Sequence, residues 1–111
     1  MANRQKAKGS AAERAVRDYL HSLDIPCERI PAGATADRGD LWVPLIEFPT
    51  IDVKNCSTHE LSAWVERAEE QAVNAGRRAG VVWFKRRGKT DPADWYVATT
   101  GRGLLNLIGV R

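Results

Sequence analysis

No stretch of this 111-residue chain approaches the ~20 consecutive apolar residues that a helix needs to cross a bilayer, so no membrane partner is expected. Cysteine is scarce. Cys27 and Cys56 stand far apart and in no C-x-x-C or Cys/His spacing, which argues against a zinc site and a dithiol redox centre. Histidine is as sparse, and His21 and His59 have neither the spacing of a metal pair nor a neighbouring nucleophile. The first nine residues are basic but lead into an amphipathic stretch in place of an apolar signal core, so the expectation is a cytoplasmic protein. At this length one domain is expected, with residues 1–9 as a basic, flexible tail and residues 10–111 as a single folded unit.

Acidic residues are scarce at both ends. Residues 1–9 carry Arg4, Lys6 and Lys8 and no acid, while residues 77–111 carry eight basic residues against Asp91 and Asp94 alone. Residues 10–76 hold six basic and twelve acidic residues, so the formal +3 of the chain is distributed as +3, −6 and +6. Basic ends of this kind form a footprint for a polyanion such as nucleic acid, because each phosphate neutralised releases counterions. The acidic middle needs a different explanation.

Apolar residues at 12, 15, 16, 19, 20 and 23 follow the helical period, and Ser10 with Glu13 has the form of a capping box, which predicts a helix from Ser10 to Leu23. A short strand over Cys27–Ile30 and a loop rich in Gly, Ala and Pro over residues 31–39 come next. Residues 40–43 and 50–54 alternate polar and apolar between Pro44 and Pro49, the pattern of an antiparallel hairpin. A second helix is predicted from the Ser57-x-x-Glu60 capping pattern to Gly76, with Leu61, Trp64, Val65, Ala68 and Ala72 on one face. The apolar run 80–85 reads as a strand buried on both faces, 95–99 as another strand, and 102–109 as a short helix.

Four residues in this order carry chemistry. Asp52 and Lys54 are two apart on a strand and project to one face, while Ile51 and Val53 point to the other. A hairpin turning near Ile46 sets Asp40 opposite Asp52, and facing carboxylates repel unless a cation lies between them. Mg²⁺ takes oxygen ligands from a couple of carboxylates, with water and phosphate oxygens completing its shell, which suits Asp40, Asp52 and the backbone carbonyl of Val53. Such an ion activates water and stabilises charge on a phosphoryl oxygen, and a nearby lysine steadies the same charge. Glu13, on the first helix, is the fourth candidate. The plainer alternative for Asp52 and Lys54 is an exposed ion pair worth about 0–1 kcal/mol.

The helix with Lys8-Gly9 and Glu13-Arg14, the later Gly39-Asp40, and Ile51-Asp52-Val53-Lys54 before a long helix resemble the PD-(D/E)XK nuclease superfamily. Within it the chain is most similar to the archaeal-type Holliday junction resolvases and their phage relatives, over roughly residues 6–85. The resemblance implies a restriction-endonuclease-like α/β core of order αβββαβ, a mixed, twisted sheet flanked by helices, here with an extra strand and a short C-terminal helix. It further implies a metal-dependent endonuclease for branched DNA. Asp40 and Asp52 would be the metal ligands, Lys54 the catalytic lysine, and Glu13 an acid near the metal acting through water, with Mg²⁺ as cofactor and Mn²⁺ as its substitute. Gln71 corresponds to a glutamine that positions the site in some branches; the alternative is a solvated helix residue. Asp52 stands where the family more often has Glu, and the resolvase branch often places Ser in the loop where this chain offers Thr35 and Asp37. A nucleoid or a phage-infected bacterial cell is the compartment this implies.

Arg38 beside Asp40, Arg86, Arg87 and Lys89 in the late turn, and Arg4, Lys6 and Lys8 at the start are the expected phosphate contacts. Two symmetric cuts in a four-way junction require a two-fold dimer, for which Leu104–Ile108 or Trp95 and Tyr96 are the expected interface. Three alternatives stand beside this reading: a nuclease of the same fold without junction preference, a non-catalytic DNA-binding module, and a protein-interaction domain.

Overall fold

The computed structural model describes residues 3–31, 33 and 36–110, with only the backbone of residues 3–5. Helix α1 (Asn3–Ser22) leads into β1 (Glu28–Arg29), β2 (Leu41–Trp42) and β3 (Thr50–Lys54). Helix α2 (Leu61–Ala75) carries the chain to β4 (Gly80–Phe84), and β5 (Tyr96–Ala98) and α3 (Gly101–Ile108) follow, with one turn of 3-10 helix at Pro92–Asp94. The strands lie side by side in sequence order in one mixed sheet. Only β3 and β4 are parallel, joined by α2 as the crossover that a parallel pair requires.

Strand alternation divides the core between the two faces of the sheet. Ile51 and Val53 of β3, with Leu41, Val43 and Val81, pack against Ala12, Val16 and Leu20 of α1, and Trp95 closes that layer. Val82 and Phe84 of β4 turn to the opposite face and pack against Trp64 and Ala68 of α2. A strand with helices on both sides buries nearly every residue, and β3 accordingly buries Thr50 through Val53, including Asp52. The sheet is therefore flanked by helices as expected from the order of elements.

Both predicted helix starts require correction. α1 begins at Asn3, so residues 3–9 of the segment expected as a tail are its first turns; Gln5, Lys6, Ala7 and Lys8 are good helix formers and let the helix run back past Ser10. Ser10 and Glu13, one turn apart, together hold the Arg29 guanidinium in place of capping a helix. α2 begins at Leu61, four residues later than its capping pattern suggests, and its N-cap Glu60 makes no side-chain capping bond. The ring of His59 packs 5.7 Å from Trp64 and 5.1 Å from Phe84, an apolar contact across the helix start that fixes the entry of the chain without a polar cap. The predicted stop at Gly76 stands, for this residue is left-handed and its N–H bonds back to Ala72 and Val73.

Candidate active site

The hairpin register decides what meets what. Leu41 pairs with Ile51, and Asp40, just before β2, is thereby brought beside Asp52, whose carboxylate acts on it directly. The Asp40 N–H donates to the Ile51 carbonyl at 2.8 Å, and the Val53 N–H donates to Asp40 Oδ2 at 2.8 Å. Gly39 makes this approach possible: its φ is +95°, and a Cβ there would lie 2.7 Å from the Ile51 carbonyl oxygen. On the same face, Lys54 Nζ lies 3.4 Å from Asp52 Oδ2. The Ile51 carbonyl faces β2 and the Lys54 carbonyl faces β4, where it accepts from Lys85, so alternation turns the Val53 carbonyl to the side of Asp40.

These groups open into a cleft of about 700 Å³ whose walls include Lys6, Gly9, Ser10 and Glu13 of α1, Arg29 of β1, and the loop residues Arg38 and Gly39. Glu13 faces it with its carboxylate 3.0 Å from the Arg29 guanidinium. Asp40 is pushed up to about 8 by burial first, then by the Asp52 carboxylate, against the opposing pull of the Val53 N–H. Asp52 itself is only 5% exposed. Two carboxyl groups crowded on a cleft floor, one of them held protonated by burial and by the other, are a hard-oxygen donor pair whose full ionisation calls for a cation, which fits a Mg²⁺ site of two carboxylates and a backbone carbonyl. Among the described residues no group of three or more His, Cys, Asp or Glu side chains is placed to hold a metal, and Glu13, the third acid, is engaged with Arg29.

Gln71 is 1% exposed, against the alternative of a solvated helix residue. Its amide nitrogen donates to Asp52 Oδ1 at 3.3 Å and to Asp37 Oδ2 at 3.1 Å, while its oxygen has no partner among the described residues. Among the described residues of its loop, Asp37 is the most heavily bonded. Arg67 bonds its Oδ2 at 2.8 Å, the Gly39 N–H its Oδ1, and the Asn74 amide its backbone carbonyl. Burial would raise the Asp37 carboxyl, but the Gly39 N–H, the Gln71 amide and Arg67 together hold it below its ordinary value. Sequence reasoning named Gln71 and Asp37 separately but missed the latch that they form with Arg67 and Asn74. Its one trace was the spacing of Arg67, Gln71 and Asn74, which places them along one side of α2.

The expected phosphate contacts divide. Lys6 and Arg38 line the cleft, and Arg67 joins them. The Arg38 guanidinium also stands 5.1 Å from the Trp42 ring centroid. Lys8 is not on the cleft wall, and Arg86, Arg87 and Lys89 lie in the β4–β5 turn away from it, with Arg86 over Tyr96. Arg4 falls in the first turn of α1, its side chain outside the described residues, as is all of Thr35. Trp64 and Trp95 are buried in the two core layers, and Trp95 donates to the Lys89 carbonyl. Comparison with family models, curated proteins and solved structures finds no match. The cleft must therefore carry the functional reading by its own chemistry.

Proposed function

We propose that this chain is a metal-dependent endodeoxyribonuclease of the PD-(D/E)XK type with a restriction-endonuclease-like core, and that its substrate is branched DNA of the Holliday junction kind. The observation that supports this most directly is the meeting of Asp40, Asp52 and Lys54 on one floor, produced by the hairpin register and strand alternation and bordered by Lys6, Arg29, Arg38 and Arg67. A basic rim around an acidic floor attracts a phosphodiester and places its phosphate over carboxylates that would repel it. A divalent cation, Mg²⁺ or Mn²⁺, removes that conflict and, when bound, supplies an activated water and Lewis-acid stabilisation of the phosphoryl oxygen.

The chain's own residues do the rest. Asp40 and Asp52, with the Val53 carbonyl, would hold the ion, and the Val53 N–H fixes the Asp40 carboxylate in place. Gln71 orients Asp52 from behind. Lys54 is close enough to Asp52 to be held over the floor, where its ammonium steadies charge developing on the phosphate or orients the attacking water. Glu13 keeps Arg29 at the rim. Junction resolution requires two symmetric cuts, and a second copy docked through the exposed Leu104, Leu105 and Ile108 of α3 would provide the second site.

The test is cleavage of end-labelled four-way, flap and linear duplex DNA with Mg²⁺, Mn²⁺ or Ca²⁺. Paired symmetric cuts in the four-way substrate with Mg²⁺ are expected. Equal cutting of all three substrates would leave a nuclease without junction preference, and no cutting of any with Mg²⁺ or Mn²⁺ would remove the enzymatic reading.

A further inference from the structure

Each glycine of this chain but two answers to a demand of the fold. Gly33, Gly39, Gly76, Gly88 and Gly109 have positive φ, and a Cβ on Gly80 or Gly103 would collide with Ala68 and Thr50 or with Thr99. Gly101 is the first residue of α3, where the helix has only begun. Gly9 is different. It lies inside α1, its φ is not positive, and a Cβ built on it meets nothing within 4 Å among the described residues. Glycine in a helix interior costs stability relative to alanine, and here neither packing nor backbone conformation calls for it.

Its position supplies the missing reason. Gly9 lies on the wall of the cleft, one turn after Lys6 and one turn before Glu13, and Arg29 is fixed beside it by bonds to Glu13 and Ser10. The helix surface is thus cut back to bare backbone at one point of a wall that carries the Lys6 ammonium and the Arg29 guanidinium, the latter paired with Glu13. Amides inside a helix are already bonded, so this bare patch offers close contact and not hydrogen-bond donors. A ligand that needs close contact there and positive charge on both sides is a sugar-phosphate backbone.

We infer that α1 at Gly9 is a subsite for the backbone of a DNA strand, seated between Lys6 and Arg29 as it runs to the phosphate over Asp40 and Asp52. The inference rests on the nuclease reading and specifies the path of the strand. A side chain at position 9 strengthens the helix and obstructs the strand, so stability and affinity move in opposite directions. A structural role for the glycine would move them together.

The experiment compares Gly9→Ala, Gly9→Leu and, on the exposed side of the same helix, Ala11→Leu. Thermal melting is read for each, together with binding of a fluorescein-labelled four-way junction and a labelled duplex in Ca²⁺. Gly9→Ala is expected to melt a few degrees above the wild type. Gly9→Leu is expected to bind DNA about tenfold more weakly or worse, the order of an overpacked contact, and Ala11→Leu to bind as the wild type. Wild-type affinity in Gly9→Leu, or a Gly9→Ala variant that melts below the wild type, would overturn the subsite. If the wild type binds neither DNA, the nuclease reading itself fails, an outcome distinguishable from loss of the subsite alone.

Discussion

Asp40 is held where its own charge is unfavourable, and this has a measurable sign. Its carboxyl is raised from 3.8 to about 8, first by burial and then by Asp52, so between those values the folded protein retains a proton that the unfolded chain has released. The stability this proton confers is fully present below about 3.8 and is lost as the pH rises toward about 8, the reverse of an ion-paired carboxylate. Without divalent ions, the melting temperature should therefore fall across that interval. Asp40→Asn should flatten the fall, and Mg²⁺ should raise the melting temperature of the wild type at pH 8 more than that of the variant. A wild-type profile that rises with pH would contradict the account. Gln71 makes a second test. Its buried amide bridges the buried Asp52 and the half-exposed Asp37. Gln71→Ala should cost about 1–3 kcal/mol by leaving the buried Asp52 Oδ1 unpaired, Asp37 keeping Arg67, and should lower kcat more than it raises KM. Chemical denaturation and steady-state cleavage check the two parts.

Among the elements, the β2–β3 hairpin was the most legible, because its two strands alternate strictly and the prolines mark where they stop. That alternation predicted Asp40 opposite Asp52; the ladder ends at Leu41–Ile51, and Asp40, just outside β2, bonds to Ile51 while its carboxyl lies close to that of Asp52. The helix starts were not legible, since Ser-x-x-Glu names a cap only where the chain has no better use for the two side chains. In α1 they hold Arg29, and in α2 the cap is replaced by packing of His59 on Trp64. The Asp37 latch was hidden for another reason: its partners Arg67, Gln71 and Asn74 are thirty or more residues away, and no local period announces such contacts. The burial of Gln71 had a signal, because it lies three residues beyond Ala68 and next to Ala72 on the apolar stripe. A further prediction belongs at this scale. Just beyond α2, Arg77 donates to the carbonyls of Val43, Leu45 and Phe48 and stacks 3.9 Å from the Trp42 ring centroid, so it anchors the hairpin connection. Arg77→Lys cannot reproduce that planar fork and should destabilise the fold by about 1–3 kcal/mol, measured by urea unfolding. An unchanged midpoint would remove the anchor.

For the whole molecule, the division of charge along the chain has been partly redrawn by the fold. Lys6, from the basic start, lies with Arg29, Arg38 and Arg67, from the acidic middle, around the cleft, while Arg86, Arg87 and Lys89 stand apart. The exposed α3 face of Leu104, Leu105 and Ile108 is where a second copy is expected. Light scattering should give twice the 12.3 kDa chain mass, and Ile108→Glu should halve it. A monomer at working concentration, with and without junction DNA, would contradict the dimer. The most direct measurement on the central claim is Mg²⁺-dependent cleavage of labelled junction by the wild type, Asp40→Asn, Asp52→Asn and Lys54→Ala, read beside binding of the same junction. The account predicts that each variant binds DNA yet loses cleavage by about a hundredfold or more. Cleavage at the wild-type rate by Asp40→Asn or Asp52→Asn would show that the acidic floor of this cleft is not where the phosphodiester is broken.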